Sequence, residues 1–590
     1  MFIAAGIGPC RIAGKTFPGV FQVLGLVLDQ RNAGNCSAAS LGRYAGRMTW
    51  RMLWMNSYNN QLCPCLGTIM VCENRLRLAF PPEALSSLQS HPLIVQGSLS
   101  QGASKDWLVT CFDTPNLMLR DAGVILSTCK TGKTRRQTVG YTVESIDGGR
   151  LRQKWERRFG GRFDFSAIDV PEVRALLEAQ AEQLAPCFIA EFCRKTHIVE
   201  PEPGVSIQVS IDTGKLVAEA NELPINEIKL ELQHGSVADL LNFAIALCGH
   251  FPLFPFDQSK VERGYRLLCA DAGKPAKAGK STVIPTSTPL QAFRALATQA
   301  QECWQSNLHG ALVSPDPEYV HQFRVTLRRL RTLLKVYKST LPRGFAQSWS
   351  DTLGKLAAGT GDARDLDVLR ETILQPVLDS EDGPALESLM QRAMDACLKA
   401  REAAHSSLSA SVHAVPLLTF ARALNTLPEN EDSGELAGFV RKRLNRVHSR
   451  ACKRLAVATE ARTPETAHQL RIALKHLRYS CEFFAPVFDE ASMLRFAKDI
   501  AVLQDELGFL NDLKVAWGFL GEWAQGEPAL LDARARVTKW HAGRTDKIRA
   551  TLFSRAKKLL ATRAPWESTR RQRSNDRRQG ARDRRKVPRT

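Results

Sequence analysis

Basic side chains recur at helical spacing in two segments of this 590-residue chain. Residues 316–331 read DPEYVHQFRVTLRRLR, and residues 463–478, which start 147 positions later, read TPETAHQLRIALKHLR. At about 100° per residue, the cations of each segment fall on one face of a helix. These residues are His321, Arg324, Arg328, Arg331 and Lys335 in the first copy and His468, Arg471, Lys475 and Arg478 in the second. Crowded cations repel one another unless an anion lies between them, so the pattern predicts an anion-binding surface.

The alternative interpretation of each stripe is a solvated helix face, neutralised by carboxylates four residues away. The first copy argues against this alternative, because no acid interrupts its stripe after Glu318. The second copy supports it in part, because Glu482 stands where the first copy has Lys335. A further basic run at residues 440–455 predicts a helix that forms a neighbouring wall of the same surface. Its cations at four-residue spacing are Lys442, Arg446 and Arg450.

Both copies carry the signals of a helix start and of a buried face. Asp316 and Thr463 are favourable N-caps, and each is followed by a proline and a glutamate, which suit the first turn. An apolar arc lies beside each cationic stripe. It consists of Phe323, Leu327, Leu330 and Leu334 in the first copy and Leu470, Leu474 and Leu477 in the second. The same offset places residues 361–366 on residues 508–513, so one helical unit has been duplicated.

The motif HxxRxxxRRLR followed by GxxRDLDVL, repeated as HxxRxxxKxLRY followed by LGxLNDLxVA, resembles the CHAD domain family. The resemblance covers residues 289–562 and implies two pseudo-symmetric helical bundles around a basic groove that binds inorganic polyphosphate. The groove residues that it implies agree with the two stripes, except that Lys335 is supplied by the helical wheel alone. For the motif at residues 364–367 we expect a structural role, in which a buried Asp pairs with a groove Arg and positions it.

Residues 70–270 alternate like strands with interspersed helices, and their motifs resemble the CYTH domain, a tunnel barrel of triphosphate-processing enzymes. The resemblance rests on residues 112–123, Trp155-Glu156, Asp212 with Gly214, residues 227–235 and residues 259–265. The predicted fold class is therefore α+β. A tunnel-like β-barrel domain precedes an all-α domain that contains a duplicated helical bundle.

The barrel differs from its family at positions that bind the metal ion and the triphosphate in catalysis. An arginine, Arg75, stands where a second metal-binding carboxylate is expected, and Lys229 interrupts the later acidic run. Cations that would grip a triphosphate are replaced by Ser127, Cys129, Gly140, Ile189 and Cys193. We therefore expect a degenerate barrel without catalytic residues, in which Glu73, Glu227 and Glu231 are remnants of a metal site. Mg²⁺ or Mn²⁺ is expected only if the barrel is active.

The remaining segments complete the expected organisation. Residues 1–69 lack periodicity and are expected to be a disordered or non-native extension, residues 271–288 a linker, and residues 563–590 a disordered basic tail. The 15 cysteines are unpatterned, which is typical of reduced thiols in a cytoplasmic protein. No apolar run reaches the length of a membrane span.

The composition and motifs together predict a cytoplasmic protein that binds inorganic polyphosphate, with polyphosphate granules as a further place of association. The net charge of +20 also suits nucleic acid, which the basic tail would attract. A metal-dependent inorganic triphosphatase is the first alternative, and non-specific nucleic-acid binding is the second. Histidines with an ordinary pKa of about 6.5 would strengthen anion binding as the pH falls. The sequence does not determine the oligomeric state.

Overall fold

The computed structural model describes residues 74–567, apart from 97, 103, 145–149, 257, 271–272 and 429–433, together with the backbone of 11–12 and 15–16. The strands Arg11–Ile12 and Lys15–Thr16 pair antiparallel in a unit that ends at Cys65. The described residues from Asn74 onward belong to a second compact unit. The predictions about the N-terminal extension, Glu73 and most of the basic tail lie outside the described residues.

Ten antiparallel strands form the sheet of the N-terminal domain. They are β1 (Arg75–Ala79), β2 (Ser98–Gln101), β3 (Lys105–Asp113), β4 (Val124–Thr131), β5 (Thr134–Glu144), β6 (Arg150–Arg158), β7 (Ala185–Glu202), β8 (Val205–Ala218), β9 (Asn221–His234) and β10 (Phe254–Pro255). Their order is β10-β1-β9-β8-β7-β3-β4-β5-β6, and β2 pairs with β7. The sheet is tunnel-like, as the sequence predicted, and it is open, since its end strands β10 and β6 do not pair with each other within the described residues.

Alternation along the strands separates an apolar face from a charged one. Leu76 of β1 and Leu230 of β9 are buried and lie opposite each other in register. On the other face of the sheet, Arg75 and Glu231 lie opposite each other in the same way. The sequence predicts a strand at residues 206–211, which is only the first half of β8. The second half, residues 212–218, contains Asp212, Gly214 and Lys215, which interrupt the alternating pattern. The short helices of this domain are α1 (Leu85–Ser90), α2 (Pro92–Val95), α3 (Met118–Asp121), α4 (Pro171–Ala179), α5 (Val237–His250) and α6 (Lys260–Leu268).

The C-terminal domain is helical throughout its described elements. The helices are α7 (Pro289–Val313), α8 (Pro317–Tyr337), α9 (Phe345–Ala358), α10 (Gly361–Val368), α11 (Gln375–Leu378), α12 (Pro384–Ser407), α13 (Ala410–Asn425), α14 (Leu436–Ala461), α15 (Pro464–Phe483), α16 (Glu490–Trp523) and α17 (Pro528–Ala561). A π-helical turn at Leu369–Leu374 joins α10 to α11. The predicted caps are confirmed, since Asp316 accepts from the amide of Glu318 at 2.8 Å and Thr463 from that of Thr466 at 3.2 Å.

The two domains share an apolar core. Helix α5 of the sheet domain packs on α13 of the helical domain, and Arg422 donates a hydrogen bond to Asn242 at 2.7 Å. The segment predicted as a linker lies along α7, where the side chain of Asn307 bonds both the amide and the carbonyl of Ala276, at 2.9 and 2.8 Å. The backbone of this connection is therefore held on α7 through both the amide and the carbonyl of Ala276.

The basic tail begins later than the sequence predicted. Residues 563–567 are folded, because Trp566 is fully buried and donates its indole N–H to Asn445 at 2.7 Å. The low aliphatic content of the segment favoured disorder and gave no sign of this aromatic anchor. Free thiols in the described part of the chain include Cys129, Cys187, Cys193, Cys248, Cys269, Cys303, Cys397, Cys452 and Cys481. Among the described helices, none combines the length and the apolar character needed to cross a bilayer.

Candidate functional site

The four repeated motifs converge on one cavity of about 280 Å³ in the helical domain. Helices α8 and α15 supply the cationic stripes, and α10 and α16 supply the second motif of each copy. The lining residues are His321, Arg324, Arg328, Arg364, Asp365, Val368, Arg471, Lys475, Asn511 and Asp512. The cavity thus lies between the two copies and is built from equivalent positions of both.

Burial of the apolar arcs turns the cationic stripes toward this cavity. Leu327 and Leu330 on α8 and Leu474 and Leu477 on α15 have no exposed surface, as the helical wheel predicted. The basic residues lie on the neighbouring arc and remain partly accessible. Because the core fixes each helix's rotation, the cations cannot turn into bulk solvent without exposing leucines.

Equivalent arginines lie against equivalent glycines. Arg324 donates to the carbonyl of Ala357 at 2.6 Å, and a Cβ on Gly361 would lie 3.9 Å from its Nη1. In the second copy, a Cβ on Gly508 would lie 3.8 Å from Nη2 of Arg471. A methyl group at either glycine would be in ordinary van der Waals contact with the guanidinium, so each arginine packs directly against the second motif of its own copy.

Arg471 carries an unsatisfied hydrogen-bond donor. Its Nε is buried and has no hydrogen-bond partner among the described residues, although the side chain lines the cavity. A buried N–H without a partner costs about 1–3 kcal/mol. An anion with acceptor oxygens that reached this group would remove the cost.

The cavity has an excess of positive charge. Four arginines and one lysine face two carboxylates, so the lining has a net charge of +3 when Lys475 is protonated and His321 is neutral. Burial, opposed by Arg324 and reinforced by the neighbouring Asp512, raises the pKa of Asp365 above its usual range. The electrostatic pattern favours a ligand with several negative charges.

Two cavity residues titrate far from their ordinary values. Burial, followed by the charges of Arg328 and Arg471, lowers the pKa of Lys475 to about 7, although Asp512 opposes the shift. Burial and then the charge of Arg364 lower the pKa of His321 to about 4. The prediction that this histidine charges near pH 6.5 is therefore wrong, because burial and neighbouring cations disfavour its protonated form. In the free protein, the pKa of about 7 places the titration of this cavity lysine near neutral pH.

The remaining predicted residues lie outside the cavity lining. Arg331 and Lys335 are exposed farther along α8, and His468 is exposed at the rim, where Nδ1 lies 3.2 Å from Oδ1 of Asn511. The predicted helix at residues 440–455 is confirmed as part of α14. Its three cations are all exposed, namely Lys442, Arg446 and Arg450.

Glu482 pairs with the last arginine of the second stripe. It accepts from Nε of Arg478 at 2.8 Å and from Arg329, whose guanidinium lies 5.0 Å from the ring centroid of Tyr479. Arg478 also donates to Gln504 at 3.1 Å. The alternative interpretation is thus right about charge at this part of the second stripe, since a carboxylate four residues away neutralises Arg478, but the pair is only 27% and 24% exposed and is not a solvated face.

Sequence reasoning assigned a different role to the second motif. Arg364, Asp365, Asn511 and Asp512 line the cavity, and the equivalence of the two copies was the signal that could have placed them there. The fully buried aspartate of the motif is Asp367. It pairs at 2.7 Å with Arg401 of α12, whereas we had expected its partner to be a groove arginine.

The charged face of the sheet consists largely of internal ion pairs. Both oxygens of Glu231 are engaged, one with Arg75 and the other with Lys229, each at 2.7 Å. Burial would raise the pKa of Glu231, but the hydrogen bonds and charges of these cations lower it below its usual range. The two residues that interrupt the family's acidic pattern are thus the partners of its remaining glutamate.

The other carboxylates of this face are paired as well. Asp212 accepts from both Nε and Nη2 of Arg194, at 2.6 and 2.7 Å, and from Lys260 at 2.6 Å. Glu227 accepts from Lys260 and Arg263, both on α6. Among the described residues, no group of three or more His, Cys, Asp or Glu side chains could hold a metal ion.

The comparison with protein families identifies the helical domain. Residues 295–521 match the family model of the CHAD domain. These residues are a CHAD domain. The crystal structure of the CHAD domain from the plant Ricinus communis is 31% identical to the chain, with a TM-score of 0.42, and the match covers 50% of this chain and 98% of that one.

Two other proteins are similar to parts of the chain. An inorganic triphosphatase of Haemophilus influenzae is 38% identical over 84 residues, which are 14% of this chain and 24% of that protein. The chain thus spans about a quarter of this curated relative. A Hippeastrum protein with a dominant triphosphatase activity is 10% identical over 32% of this chain and 94% of its own, with a TM-score of 0.24. The open antiparallel sheet before the CHAD domain is consistent with the CYTH-like fold that its motifs resemble.

Proposed function

We propose that the cavity between the two CHAD repeats binds inorganic polyphosphate. The observation that carries this proposal is the buried, unpartnered Nε of Arg471 in a cavity whose lining has an excess of cations. Guanidinium groups form charge-assisted hydrogen bonds with phosphoryl oxygens, and successive phosphates can engage successive arginines. Release of counterions from the polyanion adds to the affinity.

The tyrosines near the groove support polyphosphate over nucleic acid. Proteins that bind single-stranded nucleic acid without sequence preference stack its bases on accessible aromatic rings. Tyr337 and Tyr479, which flank the cationic stripes, are 0% and 3% exposed and cannot provide such a surface. The groove therefore offers contacts for phosphates and lacks a stacking platform at these two positions.

Competition at matched salt tests this proposal directly. Labelled long-chain polyphosphate is bound to the full-length protein and displaced with unlabelled polyphosphate or with single-stranded RNA at the same phosphate concentration. We expect polyphosphate to displace the label at a concentration at least about tenfold lower than RNA. Equal displacement by both polymers would indicate a general polyanion surface and would contradict the proposal.

A second candidate function is inorganic triphosphatase activity, which is favoured by the similarity of part of the chain to the Haemophilus influenzae enzyme. The sheet domain, with its CYTH-like motifs, is where we would place this activity. The ion pairs of Glu231, Asp212 and Glu227 support a degenerate sheet, because carboxylates that already face lysine and arginine are poor ligands for Mg²⁺. Phosphate release from tripolyphosphate with Mg²⁺ or Mn²⁺ distinguishes the two functions. We propose that the full-length protein binds polyphosphate and hydrolyses tripolyphosphate little or not at all.

A further inference from the structure

The two ends of the cationic groove differ, although the repeats are equivalent. From the cavity, the first copy continues along α8 through two exposed cations, Arg331 and Lys335. At the same position as Lys335, the second copy has Glu482, which is bound to Arg478 and Arg329. The duplication thus gives one stripe that is open and one that is closed by its own ion pairs.

We infer that a long polyphosphate chain leaves the cavity in one direction, along an exit track formed by exposed cations of α8 and α14. The exit track consists of Arg331, Lys335, Arg450, Arg446 and Lys442. This inference rests on the proposed function of the cavity and adds a preference for long chains over oligophosphates, with one defined path across the surface.

The closed stripe offers few free donors. The Arg478 side chain is 27% exposed. Its Nε donates to Glu482 at 2.8 Å and its Nη1 donates to Gln504 at 3.1 Å. Arg329 is 14% exposed and lies 5.0 Å from the ring centroids of both Tyr479 and Phe483. A phosphate here would have to displace a carboxylate that two guanidinium groups already hold.

The other end of the cavity is bordered by acids. Glu318 lies one turn before His321 at the start of α8, and its charge acts on that histidine. Glu465 holds the equivalent position before His468, where it pairs with Lys514 at 3.1 Å. These carboxylates repel a polyanion, so the N-terminal ends of both helices are an unfavourable route.

The exit track joins the cavity through His476 on α15. This half-buried histidine is next to the cavity residue Lys475, and it is close enough to Lys335, Arg450 and Arg331 for their charges to act on it. Lys335 is in turn surrounded by Arg450, Arg331 and Lys338, all of the same sign. Cations that repel one another in the free protein are stabilised by a shared anion.

The dimensions of the track exceed those of the cavity. At about 1.5 Å per residue, the path from Arg324 to Lys335 along α8 covers roughly 16 Å. The helix α14 adds about 12 Å from Arg450 to Lys442 at the same rise. A tripolyphosphate held in the cavity is too short to reach the far end of this path, whereas a long chain can contact the cavity and the track together.

The test compares affinities of the full-length protein for tripolyphosphate and for long-chain polyphosphate. The track variant is Lys335→Glu/Arg446→Glu/Arg450→Glu, and the matched control, with the same change in net charge, is Lys539→Glu/Lys547→Glu/Arg549→Glu on α17. We expect the ratio of long-chain to tripolyphosphate affinity to fall about tenfold or more in the track variant and less than about twofold in the control. The slope of log affinity against log salt for the long chain should fall by about 2, since roughly 0.7 is lost for each contact removed.

The outcomes separate this inference from the proposed function. If the wild-type protein binds polyphosphate but the track and control variants give the same ratio, the exit track is wrong and the cavity remains the binding site. If the wild-type protein binds neither ligand, the proposed function itself fails. Circular dichroism checks that each variant is folded, and the corresponding Gln substitutions replace any Glu variant that is not.

Discussion

The carboxylate of Glu482 on α15 accepts a hydrogen bond from the guanidinium of Arg329 on α8 and so joins the two CHAD repeats. The same carboxylate holds Arg478 at 2.8 Å. The side chains of all three residues are less than 30% exposed, at 24%, 14% and 27% for Glu482, Arg329 and Arg478. One acid thereby closes the second stripe and stabilises the contact between the two helices.

Replacement of Glu482 tests both consequences. Glu482→Gln should lower the free energy of unfolding by about 1–3 kcal/mol, because two partly buried guanidinium groups lose their charged partner. The same change should raise polyphosphate affinity, since it removes a negative charge beside the groove.

The control Glu527→Gln breaks an ion pair with Arg392. The side chains of this pair are 48% and 43% exposed, so its loss should cost at most about 1 kcal/mol. Denaturant unfolding and binding titrations measure the two effects, and equal destabilisation by both variants would contradict this role.

The lowered pKa of Lys475 predicts the pH dependence of binding. Its pKa is about 7 in the free protein because of burial and the charges of Arg328, Arg471 and Arg478, with Asp512 opposing them. A bound polyanion raises this pKa, so binding takes up a proton above pH 7 and affinity falls as the pH rises through 7. Below pH 7 the lysine is already charged and contributes no further dependence.

The variant Lys475→Arg isolates this effect, because arginine stays charged throughout the range. Wild-type affinity should fall by up to about tenfold per pH unit above pH 7, and the variant should lack this component. The ligand's own titration is common to both proteins and cancels in the comparison. Parallel pH profiles for the two proteins would show that Lys475 is not the titrating group.

The ion pairs of the sheet predict how the domain responds to restoration of one acidic residue. The full-length protein should show little or no tripolyphosphatase activity with Mg²⁺ or Mn²⁺. Arg75→Glu should not rescue activity, because Lys229 still occupies Glu231 and the triphosphate-side cations are still missing. The substitution also places a like charge beside Glu231 and should lower the melting temperature. Metal-dependent turnover on the order of 1 s⁻¹ or more would make the triphosphatase the better account of the sheet.

The sequence predicted the cavity from equivalence of the two copies, but not its extent. A helical wheel orients a side chain around its own helix, and it put Arg324 and Arg471 on the cationic faces that line the cavity. It carries no information on how two helices diverge, so it could not separate Arg328, in the lining, from Lys335, outside it. The sequence could not predict the partner of Arg329 either, because Glu482 is 153 positions away in the chain.

The sheet shows a different limit. The first half of β8, residues 206–211, alternates between apolar and polar residues, and the sequence predicted it as a strand. The second half, residues 212–218, does not continue this alternation, and its hydrogen bonds to the two neighbouring strands hold it extended. The tail boundary was misplaced for a related reason, since Trp566 is an isolated aromatic whose burial depends on α14 and α16, far away in the sequence.

Binding in the cavity should depend most on its two equivalent arginines, and the double variant Arg324→Glu/Arg471→Glu tests them together. The control Lys539→Glu/Arg549→Glu makes the same change in net charge on α17. Circular dichroism should show unchanged helicity for both proteins. The Gln/Gln pair serves if the Glu variant does not fold.

The decisive measurement is the equilibrium affinity of the full-length protein for long-chain polyphosphate at physiological salt. We predict that the double variant loses about a hundredfold or more in affinity, because guanidinium contacts are replaced by repulsion inside the cavity. The control should stay within about threefold of the wild-type protein. A folded double variant that binds as tightly as the wild-type protein would contradict the assignment of the cavity as the polyphosphate site.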